Sequence, residues 1–213
     1  MKGAVVLLSG GLDSSVLLHW VRRELGVGAD LRALSFDYGQ RHAYELEMAR
    51  LQAKRAAVRE HRIVPFRFFS EMILGASVLT DAGMSIPDGR SLSEFERNQP
   101  PTYVPNRNMI LLSLAAAFAE ATRLPLICYG AHRQDAYGYW DCTADFVRAL
   151  NAVLVQNRRD PVKIWAPFVD WDKAAIIRAG VELGVDFAAT WSCYRGIPPA
   201  CGVCSTCLER RRA

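Results

Sequence analysis

The stretch that decides the fold is Ser9-Gly10-Gly11-Leu12-Asp13-Ser14-Ser15. It follows a short apolar run, residues 4–8, and precedes apolar residues at helical spacing that continue to Leu25. Two glycines between a strand and a helix let the backbone turn sharply, and the free N–H groups of the first helical turn then face an anion. The alternative is an ordinary strand-to-helix turn with a serine or aspartate N-cap. The complete string favours a phosphate-binding loop.

Strands and helices alternate along most of the chain. Strand patterns occupy residues 4–8, 31–36, 61–66, 126–129 and 162–165, and helical patterns occupy residues 14–25, 43–60, 108–121, 144–156 and 173–183. This order predicts an α/β fold of Rossmann-like type, with a parallel sheet and helices on both faces. Residues 70–101 have no such pattern, so we expect a long functional loop there, of the kind that often forms a lid.

Composition excludes several classes of protein. Of the 213 residues, 51% are hydrophobic, which is too many for a disordered chain. The net charge of +4 suits a nucleotide ligand but is too small to indicate a nucleic-acid-binding module. No apolar run approaches the roughly 20 residues of a membrane span, and the N-terminus lacks a cleavage site for a signal peptide. We therefore expect a cytoplasmic protein without a membrane partner.

Four of the six cysteines lie close together near the end of the chain, at Cys193, Cys201, Cys204 and Cys207. Four thiolates on glycine- and proline-rich turns can close a tetrahedral shell, which predicts a structural Zn²⁺ site. An iron–sulfur cluster is the minor alternative. Because the tail has no apolar periodicity, we divide the chain into a nucleotide-binding domain, residues 1–189, and a cysteine-held segment, residues 190–213, packed on it.

The glycine string lacks the lysine of a Walker A loop. It resembles the pyrophosphate loop of the N-type ATP pyrophosphatases, whose sheet is of the adenine nucleotide alpha hydrolase-like kind. The resemblance implies cleavage between the α- and β-phosphates of ATP and transfer of AMP to a substrate oxygen. Asp13 is expected on an exposed loop, where it can hold Mg²⁺ or position the loop, and Asp13 and Ser14 are candidate catalytic residues. The ATP-binding residues implied are Leu8, Ser9, Gly10, Gly11, Leu12, Asp13, Ser14, Ser15, Tyr38 and Gln40.

Three further strings and the cysteine tail narrow the resemblance. Residues 38–42 read YGQRH, residues 102–108 read TYVPNRN and residues 190–194 read TWSCY. In this order they resemble the 7-cyano-7-deazaguanine synthase family of the queuosine pathway, from residue 3 to about residue 211. The resemblance implies an ATP-dependent ligase that adenylates 7-carboxy-7-deazaguanine, admits ammonia to form an amide, and dehydrates the amide to the nitrile. We also expect a homodimer.

The substrate pocket can be assigned by the same resemblance. Arg107, at the start of a helix, is a candidate catalytic residue that could clamp a carboxylate or phosphate, although a surface helix arginine is the alternative. Tyr103 could stack on a purine-like ring or simply pack. For His42 we favour a solvated position at a helix N-terminus. The substrate-binding residues implied are Tyr103, Arg107, Asn108, Asp135, Tyr139 and Asp141.

Residues 130–143 depart from the family pattern. His132, Trp140 and Thr143 stand where the family has asparagine, proline and arginine. In the family this loop meets the guanine-like edge of the substrate with its acidic residues. The departure permits a second enzyme hypothesis, in which a deazaguanine acid is joined to a larger amine, including one on a protein, in a bacterial defence system. Cys142 could be a nucleophile, but a packed thiol is favoured.

Two further classes are weaker. A zinc-ribbon nucleic-acid module conflicts with the small net charge and the complete phosphate loop. A tRNA-thiolating enzyme would carry an added RNA-binding domain and a catalytic cysteine pair, and the sequence shows neither.

Overall fold

The computed structural model describes residues 3–93, 99–157 and 159–213. Its centre is a parallel five-stranded sheet in the order β3-β2-β1-β4-β5. All five predicted strands are confirmed, with ends shifted by at most one residue. Their bounds are β1 Gly3–Leu7, β2 Asp30–Asp37, β3 Glu60–Pro65, β4 Leu126–Cys128 and β5 Lys163–Trp165.

Helices cover both faces of the sheet, as predicted. In the described residues they are α1 Leu12–Leu25, α2 Glu45–Arg55, α3 Phe68–Met72, α4 Arg107–Thr122, α5 Ala144–Leu154, α6 Lys173–Glu182 and α7 Ser205–Arg212. Alternate strand residues point to opposite faces. Val5 therefore packs in the core under α4 and α5, while Val6 packs in the core under α1, α2 and α6. None of the described helices is long and apolar enough to cross a membrane.

Most predicted helix ends are shifted by one or two residues, and the larger differences are three. The predicted helix over residues 43–60 ends at Arg55, because Ala57 takes a positive φ of 49° and turns the chain into β3. Helix α3 and helix α7 were not predicted. Helix α7 has no apolar stripe to reveal it, since its residues are mostly polar and its buried residue is Cys207.

The segment predicted as a long loop is irregular after α3 in its described part. Val78 and Leu79 are buried, and the backbone N–H of Arg41 donates to the Leu79 carbonyl at 2.8 Å. This part of the segment is therefore a packed wall of the fold. Residues 94–98 lie outside the described residues, and a lid role for the segment stays a prediction.

The strand order fixes where a ligand can bind. After β1 the chain continues towards β2, and after β4 it continues towards β5, on opposite sides of the sheet. A crevice opens at such a reversal, outside the carboxyl ends of the strands. The glycine string follows β1 and residues 129–143 follow β4, so both frame this crevice.

Gly10 holds the loop against helix α2. Its φ is +89°, and a Cβ built there would lie 2.0 Å from the Glu45 carbonyl oxygen and 2.6 Å from the Ala49 nitrogen. Both neighbours are backbone atoms of α2, so they cannot move aside cheaply. A residue without a Cβ is therefore required where the loop crosses α2.

We expect Gly10→Ala to lower the free energy of unfolding by about 3 kcal/mol or more, because backbone strain and a steric clash add. Gly26→Ala is the matched control, since Gly26 has a φ of +85° and a Cβ added to it would meet nothing within 4 Å. The control isolates the cost of a positive φ without a steric clash, about 1–3 kcal/mol. Urea denaturation measures both, and equal losses would refute the close contact with α2.

Candidate active site

The glycine string forms a loop whose amides converge on one oxygen. Ser14 Oγ accepts hydrogen bonds from the backbone N–H of Ser9 at 3.2 Å and of Gly10 at 3.3 Å, and it can donate to the Gly11 carbonyl at 3.2 Å. Gly11 is the N-cap of α1, and the structure shows no side-chain cap there. The first turn of α1 therefore presents uncapped N–H groups at the crevice, which is a favourable position for an anion.

Asp13 lies in the first turn of α1 and is paired with a lysine. Both of its carboxylate oxygens accept from Lys173 Nζ, at 2.9 and 2.7 Å. Burial alone would raise the pKa of Asp13, but the nearby charges and hydrogen bonds of Lys173 and His132 lower it to about 2. The expectation of an exposed loop position is wrong: the side chain is only 25% exposed and α1 begins before it.

Lys173 was not predicted as a site residue, although it begins α6 just after β5, at the carboxyl edge of the sheet. Its Nζ lies 2.9 Å from His132 Nε2 and 3.6 Å from Glu209 Oε2. His132 Nε2 lies 3.3 Å from Asp135 Oδ2. Burial raises the pKa of Asp135 to about 6, although the charge on His132 opposes the rise. The buried Lys173 ammonium therefore contacts carboxylates of Asp13 and Glu209, which lie far apart in the sequence.

Arg107 lies at a different part of the same crevice. It begins α4, and its Nη1 donates to Tyr38 Oη at 3.3 Å while its Nε donates to Asn108 Oδ1 at 3.3 Å. Burial alone would lower the pKa of Arg107, but Tyr38, Cys142 and Asp141 raise it, so the guanidinium stays charged. A planar cation here can bind a carboxylate or a phosphate.

Cys142 is a packed thiol. It accepts a hydrogen bond from Asn108 Nδ2 at 3.3 Å, and burial raises the pKa of the thiol far above its usual range. Because the thiolate is the nucleophilic form, this environment favours the packed thiol over a nucleophile.

A cavity of about 280 Å³ joins these groups. Ten of the predicted site residues line it, namely Leu8, Ser9, Gly11, Leu12, Asp13, Ser14, Tyr38, Arg107, Asn108 and Asp135. The structure therefore brings the glycine loop, Arg107 and the start of the loop after β4 together around one cavity. Its assignment of roles to these residues stays a prediction.

Four other predicted residues lie outside the cavity lining, and each forms a hydrogen bond with a residue of the lining. Ser15 Oγ donates to the Gly11 carbonyl at 2.7 Å. Gln40 Oε1 accepts from the Tyr38 N–H at 2.9 Å. Asp141 is buried, and its Oδ2 accepts from the Asn108 N–H at 3.2 Å. Gly10, described above, belongs to the same group.

Two of the predicted aromatic residues also stand outside the lining. Tyr139 Oη lies 2.6 Å from Thr102 Oγ1. Tyr103 Oη accepts from Trp140 Nε1 at 2.8 Å, and the Tyr103 and Tyr139 rings stack with centroids 6.4 Å apart. In this structure the tyrosine rings stack on each other, which fits the packing alternative for Tyr103.

The departures from the family pattern separate into two groups. Trp140 is 49% exposed, and Thr143 caps α5 by accepting from the Phe146 N–H at 3.1 Å. Neither residue lines the cavity, whereas His132 does. Thr143 therefore serves as a helix cap outside the cavity lining.

His42 and Glu45 also line the cavity, and neither was predicted as a site residue. The solvated position favoured for His42 is wrong, because the residue is only 6% exposed. Its Nε2 lies 3.5 Å from Glu45 Oε1. Burial, and then the charge of Arg107, lower the pKa of His42 to about 3. Burial raises the pKa of Glu45 to about 8, against the opposing effects of Gln40 and Arg107.

The four tail cysteines form one cluster. Their sulfur atoms all lie within 4.8 Å of one another, and the Cys201 N–H donates to Cys193 Sγ at 3.3 Å. A tetrahedral ion with metal–sulfur bonds of about 2.3 Å requires sulfur atoms about 3.8 Å apart. The predicted ligand set can therefore hold a metal ion.

The cysteine cluster also carries part of the cavity wall. Cys204 and Cys207 lie at the start of α7, and Thr206, Glu209 and Arg210 of this helix line the cavity. Arg210 donates to the Phe187 carbonyl at 2.7 Å and to Thr190 Oγ1 at 2.8 Å, which ties the helix to the main sheet domain.

The pKa of Glu45 predicts a pH dependence of stability. Between about pH 4.5 and pH 8 the folded protein keeps a proton on Glu45 that the unfolded chain has released, so this group lowers the free energy of unfolding as pH rises. His42 acts in the opposite direction between about pH 3 and pH 6.5, so above about pH 6.5 the change in stability with pH comes from Glu45 and not from His42. We expect Glu45→Gln to gain stability over wild type as pH rises from about 5 to about 8.

Urea denaturation across this pH range measures the difference. Glu47→Gln is the control, because Glu47 lies on the same helix with its side chain 63% exposed. A stability difference between Glu45→Gln and wild type that does not change with pH would show that Glu45 is ionised throughout.

Comparison with known proteins agrees with the sequence resemblance. The sequence pattern of the family described as queuosine biosynthesis protein QueC matches residues 3–213. A 7-cyano-7-deazaguanine synthase of Nostoc punctiforme is 44% identical over 99% of this chain and 93% of its own length. The enzymes of that name from Marinobacter nauticus and Aquifex aeolicus are 43% and 41% identical, covering 98% and 99% of this chain and 90% and 95% of their own lengths.

Solved structures share the fold at low identity. The U34-tRNA thiolase NcsA of Methanococcus maripaludis, solved with its [4Fe-4S] cluster, matches 94% of this chain and 60% of its own, with a TM-score of 0.54 and 14% identity. The NMN synthetase of Francisella tularensis matches 93% of this chain and 69% of its own, with a TM-score of 0.52 and 14% identity. These likenesses support the fold alone. The near-complete match of the sequence pattern, together with the identities above 40%, shows that this chain belongs to the queuosine biosynthesis protein QueC family.

Proposed function

We propose that the protein is an ATP-dependent ligase that converts 7-carboxy-7-deazaguanine to 7-cyano-7-deazaguanine, using ammonia and releasing AMP and pyrophosphate. The observation that carries the proposal is the cavity that joins an uncapped glycine loop to Arg107. The loop and Lys173 suit phosphates, and Arg107 suits the carboxylate that must meet them. The curated relatives named above carry the same synthase name.

The loop suits pyrophosphate as the leaving group. Its amides converge on Ser14 Oγ, and the first N–H groups of α1 are uncapped beside Lys173. An oxygen of the substrate carboxylate attacks the α-phosphorus of ATP, and the bond from this phosphorus to the bridging oxygen breaks. Pyrophosphate leaves with the electron pair, and donors aimed at its oxygens stabilise the developing charge.

Arg107 orients the carboxylate for this attack. Its charge is maintained in the buried site, and its contacts with Tyr38 and Asn108 fix the plane of the guanidinium. Placing the reacting oxygen beside the α-phosphorus removes much of the entropic cost of the reaction. Arg107 thus acts by binding and orientation, and it keeps its protons throughout.

Ammonia then completes the first half of the reaction. Its nitrogen attacks the acyl carbon of the adenylate, AMP leaves, and loss of one proton gives the amide. A second ATP takes the amide oxygen onto its α-phosphorus and again releases pyrophosphate. Departure of AMP and of both N–H protons leaves the nitrile.

Two metal ions accompany this proposal. The carboxylates of Asp13 and Asp135 line the phosphate end of the cavity, and with phosphate oxygens they would hold Mg²⁺, which neutralises phosphate charge when bound. The four cysteines would hold a structural Zn²⁺, because four protein thiolates leave no open position for catalysis. A homodimer and a cytoplasmic location stay predictions.

Transfer to a larger amine is the less favoured hypothesis. Trp140 and Thr143, whose departure from the family pattern suggested it, lie outside the cavity lining. The groups that would bind the carboxylate and phosphates are all present. We therefore keep ammonia as the acceptor.

We expect purified protein with ATP, ammonium and 7-carboxy-7-deazaguanine to release AMP and pyrophosphate and to form the nitrile. Lys173→Met should lower kcat/KM by about 10²–10³-fold, because it removes a buried donor facing the leaving group. Lys163→Met is the control, since Lys163 is exposed on β5. Chromatography and mass spectrometry identify the products, and ADP with free phosphate would refute the proposal.

We expect one Zn²⁺ per chain. Cys207→Ser should remove the metal and lower the free energy of unfolding by several kcal/mol, because metal binding stabilises only the folded chain. Cys128→Ala, at a buried thiol outside the cluster, should keep the metal. Elemental analysis decides between outcomes: iron with sulfide would indicate an iron–sulfur cluster, and absence of stoichiometric metal would contradict both.

A further inference from the structure

Glu45 and His42 form a polar surface in the cavity that the proposed chemistry does not use. Both residues are buried and both line the cavity, away from the Asp13–Lys173 pair. Tyr194 packs its ring edge-on against His42, with centroids 5.7 Å apart, and also lines the cavity. Two polar side chains are thus set among aromatic rings inside a ligand cavity.

This pair leaves one oxygen of the Glu45 carboxylate available to a ligand in the cavity. Gln40 Nε2 donates to Glu45 Oε1 at 3.3 Å, and His42 Nε2 faces the same oxygen at 3.5 Å. Within the described residues no hydrogen bond reaches Glu45 Oε2, and His42 Nδ1 is buried with no partner. A proton on His42 Nε2, the nitrogen that faces the carboxylate, leaves Nδ1 as an acceptor.

The geometry of Gln40 fixes the carboxylate. Its Oε1 accepts from the Tyr38 N–H at 2.9 Å, and its Nε2 also donates to the Phe36 carbonyl at 3.0 Å. Both backbone contacts come from the end of β2 and the turn after it, which are rigid parts of the fold. Glu45 Oε1 is therefore held, and Oε2 is left for a ligand.

A carboxylate oxygen without a donor is costly in a mostly buried site, so it is expected where a ligand supplies the donor. The 2-amino-6-oxo edge of a guanine-like ring presents two adjacent donors, its ring N–H and its amino group. The edge of adenine presents one donor and one acceptor. The two oxygens of the Glu45 carboxylate lie side by side and match the guanine-like edge.

We propose that Glu45, supported by His42, binds the 2-amino-6-oxo edge of the deazapurine and determines the base specificity of the enzyme. The proposal rests on the proposed function for its substrate. It replaces Asp135 and Asp141 in that role, because Asp135 is paired with His132 beside Lys173 and Asp141 accepts from the Asn108 N–H behind the cavity. Burial raises the pKa of Glu45 because the fold supplies few donors to this carboxyl group, and the two donors of a bound guanine-like edge lower the pKa and favour the ionised form.

Binding without turnover tests this inference. Calorimetry compares 7-carboxy-7-deazaguanine with the analogue that lacks the 2-amino group, in wild type, Glu45→Gln and the control Glu47→Gln. We expect wild type and the control to prefer the amino compound by about 10- to 100-fold, as for a hydrogen bond to a charged group. Glu45→Gln should lose this preference, because its amide places a donor against the amino group, while its affinity for ATP changes less than about twofold.

A second variant guards against a folding defect. His42→Leu keeps Glu45 and removes the imidazole nitrogen that faces Glu45 Oε1, so it should lose part of the preference, and thermal melting establishes that each variant is folded. The inference is overturned if wild type shows no preference, if folded Glu45→Gln keeps it, or if Glu45→Gln weakens ATP instead, which would assign the pair to adenine.

Failure of the proposed function has a different signature. Wild type would then release no AMP with the deazapurine acid, whatever its preference between the two ligands. Loss of AMP release with the preference retained would leave the base-recognition surface standing and remove only the adenylation chemistry.

Discussion

The buried ammonium of Lys173 is the constraint on which the rest of the site depends. A lysine this deep in a protein requires carboxylates around it, since an unpaired buried charge costs several kcal/mol. The partners come from three other parts of the chain: Asp13 from α1, Asp135 through His132 from the loop after β4, and Glu209 from α7. Asp13, near the start of the sequence, and Glu209, near its end, therefore both contact Lys173 Nζ. Phosphate oxygens entering the loop would find the cation already positioned and surrounded by groups that fix its place.

The cysteine cluster holds helix α7, which carries Glu209, in place at the same site. Helix α7 has no apolar face, so it does not dock by hydrophobic burial as α1 or α4 does. It is held by two cysteines at its start and by the hydrogen bonds of Arg210 to residues 187–192. A metal ion at the cysteines would therefore stabilise more than the tail, because the same helix presents Glu209 to Lys173 and forms one wall of the cavity.

The sheet and the glycine loop could be predicted from the sequence, whereas several residues that line the cavity could not. The five strands and the glycine loop depend on local patterns, apolar runs and a turn that needs glycine, so they could be located from the residues. Lys173, Glu45 and His42 are ordinary helix-start residues in the sequence, and only the packing of α1, α2 and α6 on the sheet brings them to the cavity. The exposed position expected for Asp13 failed for the same reason, because its partner lies 160 residues further along the chain.

The three residues of the loop after β4 that the sequence comparison singled out, His132, Trp140 and Thr143, take different places around the cavity. Thr143 caps α5, and the exposed Trp140 packs edge-on against Phe146 with ring centroids 5.4 Å apart. Substitutions at these positions alter the outer side of the loop, where they need to satisfy only local packing. His132 is different, because it contacts Lys173 and lies between two carboxylates. An amide there would supply hydrogen bonds but no titratable charge, so the histidine adds a cation to the phosphate end of this cavity whenever it is protonated. Of these three residues, only His132 faces the cavity, so it is the one that can contact a bound ligand directly.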